Sequence, residues 1–392
     1  MKETTQILHQ GDTPEEYYGA VNPPVVHASL FGYKTYQEFL EAQADMYHRP
    51  FYNRDFNPTV ALLEQKIANL EHADAAIAFS SGMGAITAVL LALLSQRDHL
   101  LIVESVYGPT RNFCNDTLTR LGIEVEYFPP AAATDLSERL RANTRVIYLE
   151  SPGSLTFELQ DLPAAAKLAQ SAGITTVADN SWATPLYQKP LELGIDVVVH
   201  SGTKYISGHS DLTLGLLACS AALFRQIKPT AAMLGAALAP DDAYLALRGL
   251  RTLPLRMGRH QQSALAIARW LQNRPEVREV LHPGLPEFPG HELARRQQSG
   301  HSSLFGFRLQ PGTPEARRAF IDTLELFLIG VSWGGYESLI LPLETAFNRE
   351  PDWRARRGLD DDTFRTSIGL EDPEDLIADL EQGLAAWRKA MD

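Results

Sequence analysis

The chain has 392 residues, 45% of them hydrophobic and 21% charged, and a formal net charge of −13. That length allows about two or three domains of ordinary globular composition, and the negative charge argues against nucleic acid or an anionic membrane as a partner. Only Cys114 and Cys219 are present, neither in a metal-ligand pattern, and no signal-peptide or membrane-spanning apolar run occurs. A disulfide framework is thereby excluded, and a reducing cytoplasm is the expected location.

Residues 1 to about 54 carry few periodic patterns but many aromatics, ending in Tyr47-His48-Arg49-Pro50-Phe51-Tyr52-Asn53-Arg54. Such an arm cannot build its own core and is expected to lie on another surface, for example a second subunit. Asn57-Pro58-Thr59 then opens a helix: a capping residue, proline at the first helical position, and Val60, Leu63, Ile67 and Leu70 at helical spacing. Apolar runs at 75–79, 100–103, 124–128, 146–149, 175–178 and 197–199 follow, mostly with helical stretches between them. This alternation predicts an α/β fold with a doubly wound, largely parallel sheet.

The residues at the ends of these runs suggest chemistry. The first run leads into Ser80-Ser81-Gly82-Met83-Gly84 and an apolar helix; the glycines and free N–H groups there suit a phosphate, or serve only a tight turn. Tyr107, before Gly108-Pro109, is placed to stack on a planar ring or simply to pack. Asp179 ends the 175–178 run, where a carboxylate can hold a protonated pyridine nitrogen or cap a turn. The 197–199 run ends at His200-Ser201-Gly202-Thr203-Lys204-Tyr205. This delivers one amine to the sheet edge where such folds bind ligands, able to form a Schiff base with a carbonyl cofactor. A solvated lysine at a strand end is the other reading. Ser201 and Thr203 face the same way if the segment is extended and could both donate to one phosphate.

Beyond Lys204 a strand is expected at 213–219, then helical sequence from about 241 to 273 that Pro254 should kink or split. A smaller α+β domain follows. It holds a proline-rich surface stretch near 281–286, strands near 304–309 and 364–368, and a final helix capped by Asp372 with Leu376, Leu380, Leu384 and Trp387 on one face. The expected organisation is an arm at 1–54, a cofactor domain at 55–248 and a C-terminal domain at 249–392. Two later stretches could reach the cofactor domain. Val331-Ser332-Trp333-Gly334-Gly335 suggests a bend presenting Ser332 and Trp333, or burying the tryptophan. Arg365 on an apolar strand needs a buried anion, either a substrate carboxylate or a structural acid. His48, His200 and His209 lack metal-ligand spacing, so no metal site is expected.

Taken together and in order, several motifs resemble the Cys/Met-metabolism family of pyridoxal-phosphate enzymes, of the aspartate aminotransferase fold type. They are Tyr52-Asn53-Arg54, Ser81-Gly82-Met83, Tyr107, Glu150-Ser151-Pro152-Gly153-Ser154, Asp179-Asn180-Ser181-Trp182, Ser201-Gly202-Thr203-Lys204-Tyr205 with Gly208-His209, the 248–253 stretch, Ser332-Trp333-Gly334-Gly335 and Arg365. The resemblance covers nearly the whole chain. It implies pyridoxal 5'-phosphate joined to Lys204, with Asp179 on the pyridine nitrogen and Tyr107 stacked on the ring. It implies a phosphate held by the N–H groups of Gly82 and Met83, by Ser201 and Thr203, and by Tyr52 and Arg54 of a neighbouring subunit. Tyr52 and Tyr107 join Lys204 as catalytic residues, while Arg365, Ser332, Trp333 and Tyr107 contact the substrate. A homotetramer built as a dimer of dimers with shared sites is implied as well.

Within the family, Pro152-Gly153-Ser154, Trp333 and the absence of a carboxylate at Val331 resemble the cystathionine β-lyases. That implies α,β-elimination of an amino-acid thioether, cystathionine giving homocysteine, pyruvate and ammonia. A γ-acting member, a lyase, synthase or sulfhydrylase, is the alternative. A non-catalytic regulator that keeps the fold is opposed by the complete set of reactive residues.

Overall fold

A computed structural model describes residues 1–344 and 351–392 of the chain. The apolar runs form strands β1 (Ala75–Phe79), β2 (His99–Val103), β3 (Glu124–Phe128), β4 (Thr144–Glu150), β5 (Thr175–Asp179), β6 (Val197–Ser201) and β7 (Gly215–Cys219). Their order in the sheet is β1-β7-β6-β5-β4-β2-β3. The β2/β3, β2/β4, β4/β5 and β5/β6 pairs are parallel, while β7 runs antiparallel to both β1 and β6. The link from β6 to β7 is a run of turns and bends, too compact for the helical crossover that a parallel return requires.

Both faces of this sheet are covered, which is why its strands are apolar almost throughout. On one face, Ile77, Val177, Val199 and Leu217 pack with Ile86, Val89 and Leu90 of helix Gly82–Leu93. On the other, Ala76, Ala78, Leu216 and Ala218 pack with Leu63 and Ile67 of helix Pro58–Glu71. The latter helix is capped by Asn57, whose side chain accepts from the N–H of Thr59 and Val60, as its sequence predicts.

Pro254 does not split the helical region it lies in: Pro240–Gln272 is one helix of 33 residues. A proline removes one backbone bond, and here burial on both sides of it holds the helix together. Ala246, Leu250, Leu253 and Met257 belong to the core behind the first sheet, whereas Ala264, Ile267, Ala268 and Leu271 belong to the core of a second. Arg256 ties the intervening turn down by donating to the carbonyls of Gly249 and Tyr205, both at 2.7 Å. The expected limit at 248/249 falls inside this helix, and the passage from one core to the next comes between Met257 and Ala264.

The second sheet comprises β8 (Val277–Leu281), β9 (Leu304–Leu309), β10 (Leu328–Ile329), β11 (Leu339–Pro342) and β12 (Thr363–Ser367), ordered β10-β11-β12-β9-β8. The stretch at 281–286, expected on the surface, is instead a largely buried turn: Leu281, His282 and Leu285 are all buried. Its polar backbone is satisfied locally, the Gly284 N–H donating to His282 Nδ1 at 2.9 Å, so the turn can enter the core. Helix Pro373–Met391, capped by Asp372, buries Leu376, Leu380, Leu384 and Trp387 as the spacing predicts.

The arm begins docked. Ile7 of helix Glu3–His9 is buried, and the Lys66 ammonium donates to the carbonyls of Ile7 (3.2 Å) and Gln10 (2.8 Å) and pairs with Asp12. Beyond that point Tyr18, Val21, Leu30, Tyr36 and Tyr52 are exposed. Helix Tyr36–Ala44, set by a capping box between Thr35 and Glu38, is an element the sequence reading did not foresee. Among the described residues no helix is long and apolar enough to cross a membrane.

Candidate active site

The C-terminal ends of β4, β5 and β6 bring Glu150, Asp179 and Ser201 to one edge of the sheet, with Glu150 and Asp179 paired in register. The chain does not stay extended after Ser201. Residues 202–207 form turns, closed by the Lys204 N–H on Ser201 O (3.1 Å) and the Ser207 N–H on Gly202 O (2.9 Å), so Lys204 is presented by a turn and not by a strand. This changes the outlook for Thr203. Its hydroxyl donates to Leu214 O at 3.2 Å and accepts the Leu214 N–H at 2.8 Å, so its proton is spent on the turn. Ser201 remains at the cradle: a Cβ added at Gly82 would lie 3.0 Å from both Ser201 Cβ and Oγ.

Ser81 caps helix Gly82–Leu93 through the Gly84 N–H at 3.1 Å. The first-turn N–H groups of Gly82 and Met83 are left to an outside acceptor beside Ser201. Gly215 makes the approach possible, since a Cβ there would come within 1.9 Å of Ser81 O.

The Lys204 amine donates to Ser332 Oγ at 2.7 Å and lies 5.3 Å from the centre of the Trp333 ring. Burial lowers its pKa to about 8, and the nearby Arg365 guanidinium adds to the effect while Asp179 opposes it. Gly334 lets this loop close onto the site: at φ +82, a Cβ would meet Tyr205 N at 2.9 Å and Lys204 C at 3.0 Å. Arg365, on β12, is 6% exposed and donates to Val331 O (2.7 Å) and Ser332 O (3.3 Å). Burial brings its pKa down to about 10. Among the described residues it forms no ion pair with a carboxylate.

Asp179 accepts the Ser181 N–H at 2.9 Å. Burial raises its pKa, against the opposing influence of Ser181, His200 and Lys204. Tyr107 is 41% exposed and opens helix Gly108–Asn112; burial of its phenol, with Glu150 nearby, raises its pKa. Tyr52 and Arg54 remain with the arm. Their side chains contact each other, the guanidinium 5.4 Å from the ring centre, and Arg54 Nε lies 3.5 Å from Asp55.

Two further residues shape the edge and were not assigned roles from sequence. Glu150 Oε2 accepts the Tyr107 N–H at 2.7 Å, fixing where that ring begins. Ser181 joins β5 to β6, its Oγ accepting the Ser201 N–H at 2.6 Å while its own N–H holds Asp179. Their sequence signal was membership of the Glu150–Ser154 and Asp179–Trp182 motifs at strand ends, which gave neither of them a role. Among the described residues no group of histidine, cysteine or acidic side chains could hold a metal.

A buried amine of lowered pKa, a carboxylate, a helix N-terminus with free first-turn N–H groups and a buried guanidinium that has no acid partner among the described residues thus share one region. They suit a phosphorylated carbonyl cofactor with a basic ring nitrogen, and an amino-acid substrate. The family model for Cys/Met-metabolism PLP-dependent enzymes matches residues 4–385. A putative cystathionine β-lyase of Rhizobium johnstonii is 43% identical over 97% of this chain and 96% of its own length. An L-methionine γ-lyase of Pseudomonas putida is 40% identical over 97% of both. The crystal structure of a cystathionine γ-synthase from Xanthomonas oryzae pv. oryzae, in complex with aminoacrylate and cysteine, matches with a TM-score of 0.92 at 35% identity, covering 100% of this chain and 99% of that one. The chain belongs to the Cys/Met-metabolism family of pyridoxal-phosphate-dependent enzymes.

Proposed function

We propose that the protein is a carbon–sulfur β-lyase that converts cystathionine to homocysteine, pyruvate and ammonia. In this reading Lys204 carries the cofactor, Asp179 faces its ring nitrogen and Tyr107 stacks on the ring. Ser201 and the N–H groups of Gly82 and Met83 hold the phosphate, completed by Tyr52 and Arg54 of a neighbouring subunit; Thr203 serves chiefly by holding the Lys204 turn. When bound, pyridoxal phosphate supplies an electron-accepting ring that acidifies the substrate Cα proton and allows the carbon–sulfur bond to break.

The chain's own groups do the rest. Arg365, already oriented by the carbonyls of Val331 and Ser332, takes the substrate α-carboxylate in a bidentate grip. Once the substrate's amino group has displaced it from the cofactor, the freed Lys204 amine, with a pKa of about 8, has a substantial neutral fraction near neutral pH and removes the Cα proton. The Ser332 hydroxyl holds that amine in place before it acts. Lys204 then returns a proton to the departing sulfur, and water releases pyruvate and ammonia from the remaining three-carbon unit. Trp333, beside the amine and packed on Tyr205 with ring centres 5.3 Å apart, limits access of water.

The observation that carries β-elimination is the loop before β11. Its residue next to Ser332 is Val331, which offers the site a carbonyl for Arg365 and no carboxylate. The loop's acid, Glu337, accepts from Ser210 Oγ at 2.6 Å. A substrate held for γ-chemistry with a second amino group outward would lack an acid partner at position 331. Purified holoenzyme given cystathionine should therefore form pyruvate and homocysteine in about equal amounts. Mass spectrometry showing chiefly 2-oxobutyrate and cysteine would assign γ-elimination, and cystathionine made from an activated homoserine ester and cysteine would assign a synthase.

A further inference from the structure

Behind the site lies a buried acid and imidazole with no part in the chemistry above. Glu71, the last residue of helix Pro58–Glu71, is 0% exposed, and His200 on β6 is 1% exposed. His200 Nε2 lies 2.5 Å from Glu71 Oε1, which also accepts from Asn180 Nδ2 at 3.3 Å. Among the described residues Glu71 Oε2 and His200 Nδ1 have no hydrogen-bond partner. Replacing a buried ion pair by apolar side chains of the same volume is often neutral or stabilising, so packing gives a poor reason for this one.

Its placement gives a better one. Side chains alternate along β6, so Val199, paired with Asp179, lies on the face covered by helix Gly82–Leu93, while His200, paired with Leu216, lies on the opposite face. The pair therefore stands one strand behind Asp179, and its third member, Asn180, is covalently next to that residue. Asn180 is fixed in turn: its N–H donates to Val199 O (2.9 Å), its Nδ2 to Gln188 O (3.0 Å), and its Oδ1 accepts from Gln188 Nε2 (3.0 Å).

We propose that Glu71 and His200 are positioning residues for Asp179. Glu71 holds the His200 ring, and the pair, through the Asn180 side chain that Glu71 also accepts from, keeps Asp179 oriented toward the ring nitrogen of the cofactor. The inference rests on the assignment of Asp179 to that nitrogen.

Titrating apo-protein with pyridoxal phosphate, followed by tryptophan fluorescence, reads cofactor affinity without turnover. Glu71→Gln, His200→Gln and the double variant E71Q/H200Q remove the acid–imidazole contact, and circular dichroism and thermal melting of each establish that the fold is retained. Each should weaken cofactor binding by about tenfold, the scale typical when the outer partner of a ligating group is lost. At saturating cofactor kcat should fall while KM for substrate stays within about twofold, and the double variant should be no worse than the poorer single one. Parental cofactor affinity and kcat in the folded double variant would overturn the proposal, as would losses confined to thermal stability. Asp179→Asn separates the two levels. If it binds cofactor like the parent, the assignment of Asp179 fails; if it is weakened while E71Q/H200Q is not, only the role of the pair fails.

Discussion

Lys204 owes its low pKa first to burial and then to Arg365, the same group proposed to hold the substrate. The amine is useful as a base only when neutral, so activity should rise with pH and level off above about 8. Arg365→Gln removes the neighbouring positive charge and should move this limb upward while raising KM, measured as the pH dependence of kcat/KM. An unmoved limb would mean that burial alone sets the amine. Lys204→Ala should cost at least about a hundredfold in kcat, within the usual range for a positioned acid–base group. Asp179 and Arg365 drew attention in the sequence because a charge on an apolar strand is costly unless it is used or paired, and Lys204 because it follows such a strand. Glu150 and Ser181 were not legible, since their roles depend on which strands lie side by side. The backbone between Ser201 and Thr203 was not legible, because the extended course expected for 201–203 gives way to turns at Gly202.

At the scale of the element, the strand-to-helix turn after β1 is the most exacting part of the cofactor cradle. A Cβ at position 82 would press on Ser201, whose Cα it would approach to 3.2 Å, so Gly82→Ala should weaken cofactor binding by about tenfold with the fold retained. Gly215→Ala confronts the carbonyl of Ser81 at 1.9 Å and should unfold the protein or displace β7. Equilibrium titration with pyridoxal phosphate, beside circular dichroism, distinguishes these outcomes; an alanine at 82 with parental affinity would show that the cradle lies elsewhere. The strands of the first sheet could be read from sequence because both of its faces are buried. Those of the second were partly hidden. β8 interleaves Arg278 and Glu279 with its apolar residues, and β10 and β11 span only 2 and 4 residues, too short for a periodic signal. Pro254 was legible as a residue but not in effect, because tertiary packing on both sides outweighs one missing hydrogen bond.

For the whole molecule, acid sensitivity follows from three histidines around the second sheet and the long helix. Burial lowers His260 to about 4, His282 to about 3 and His301 to about 4, from an ordinary value of 6.5. All three are neutral in the folded protein at neutral pH. As pH falls below 6.5 the unfolded chain takes up protons that the folded one refuses, so stability present above that pH is lost toward pH 4. For fully buried His260 the loss is on the order of 3 kcal/mol. Urea midpoints should therefore decline between those limits, and His260→Gln should flatten the decline; an equal slope in the variant would place the acid sensitivity in other groups.

The helix Pro240–Gln272 has a mechanical consequence. At about 1.5 Å per residue it is a strut some 50 Å long, with one end set in the core behind the first sheet and the other in the core of the second. A hinge between the two sheets would have to bend that strut or pull one end from its socket. Any change of access to Lys204 is then left to smaller parts, chiefly the loop bearing Ser332 and Trp333, while the frame stays stiff.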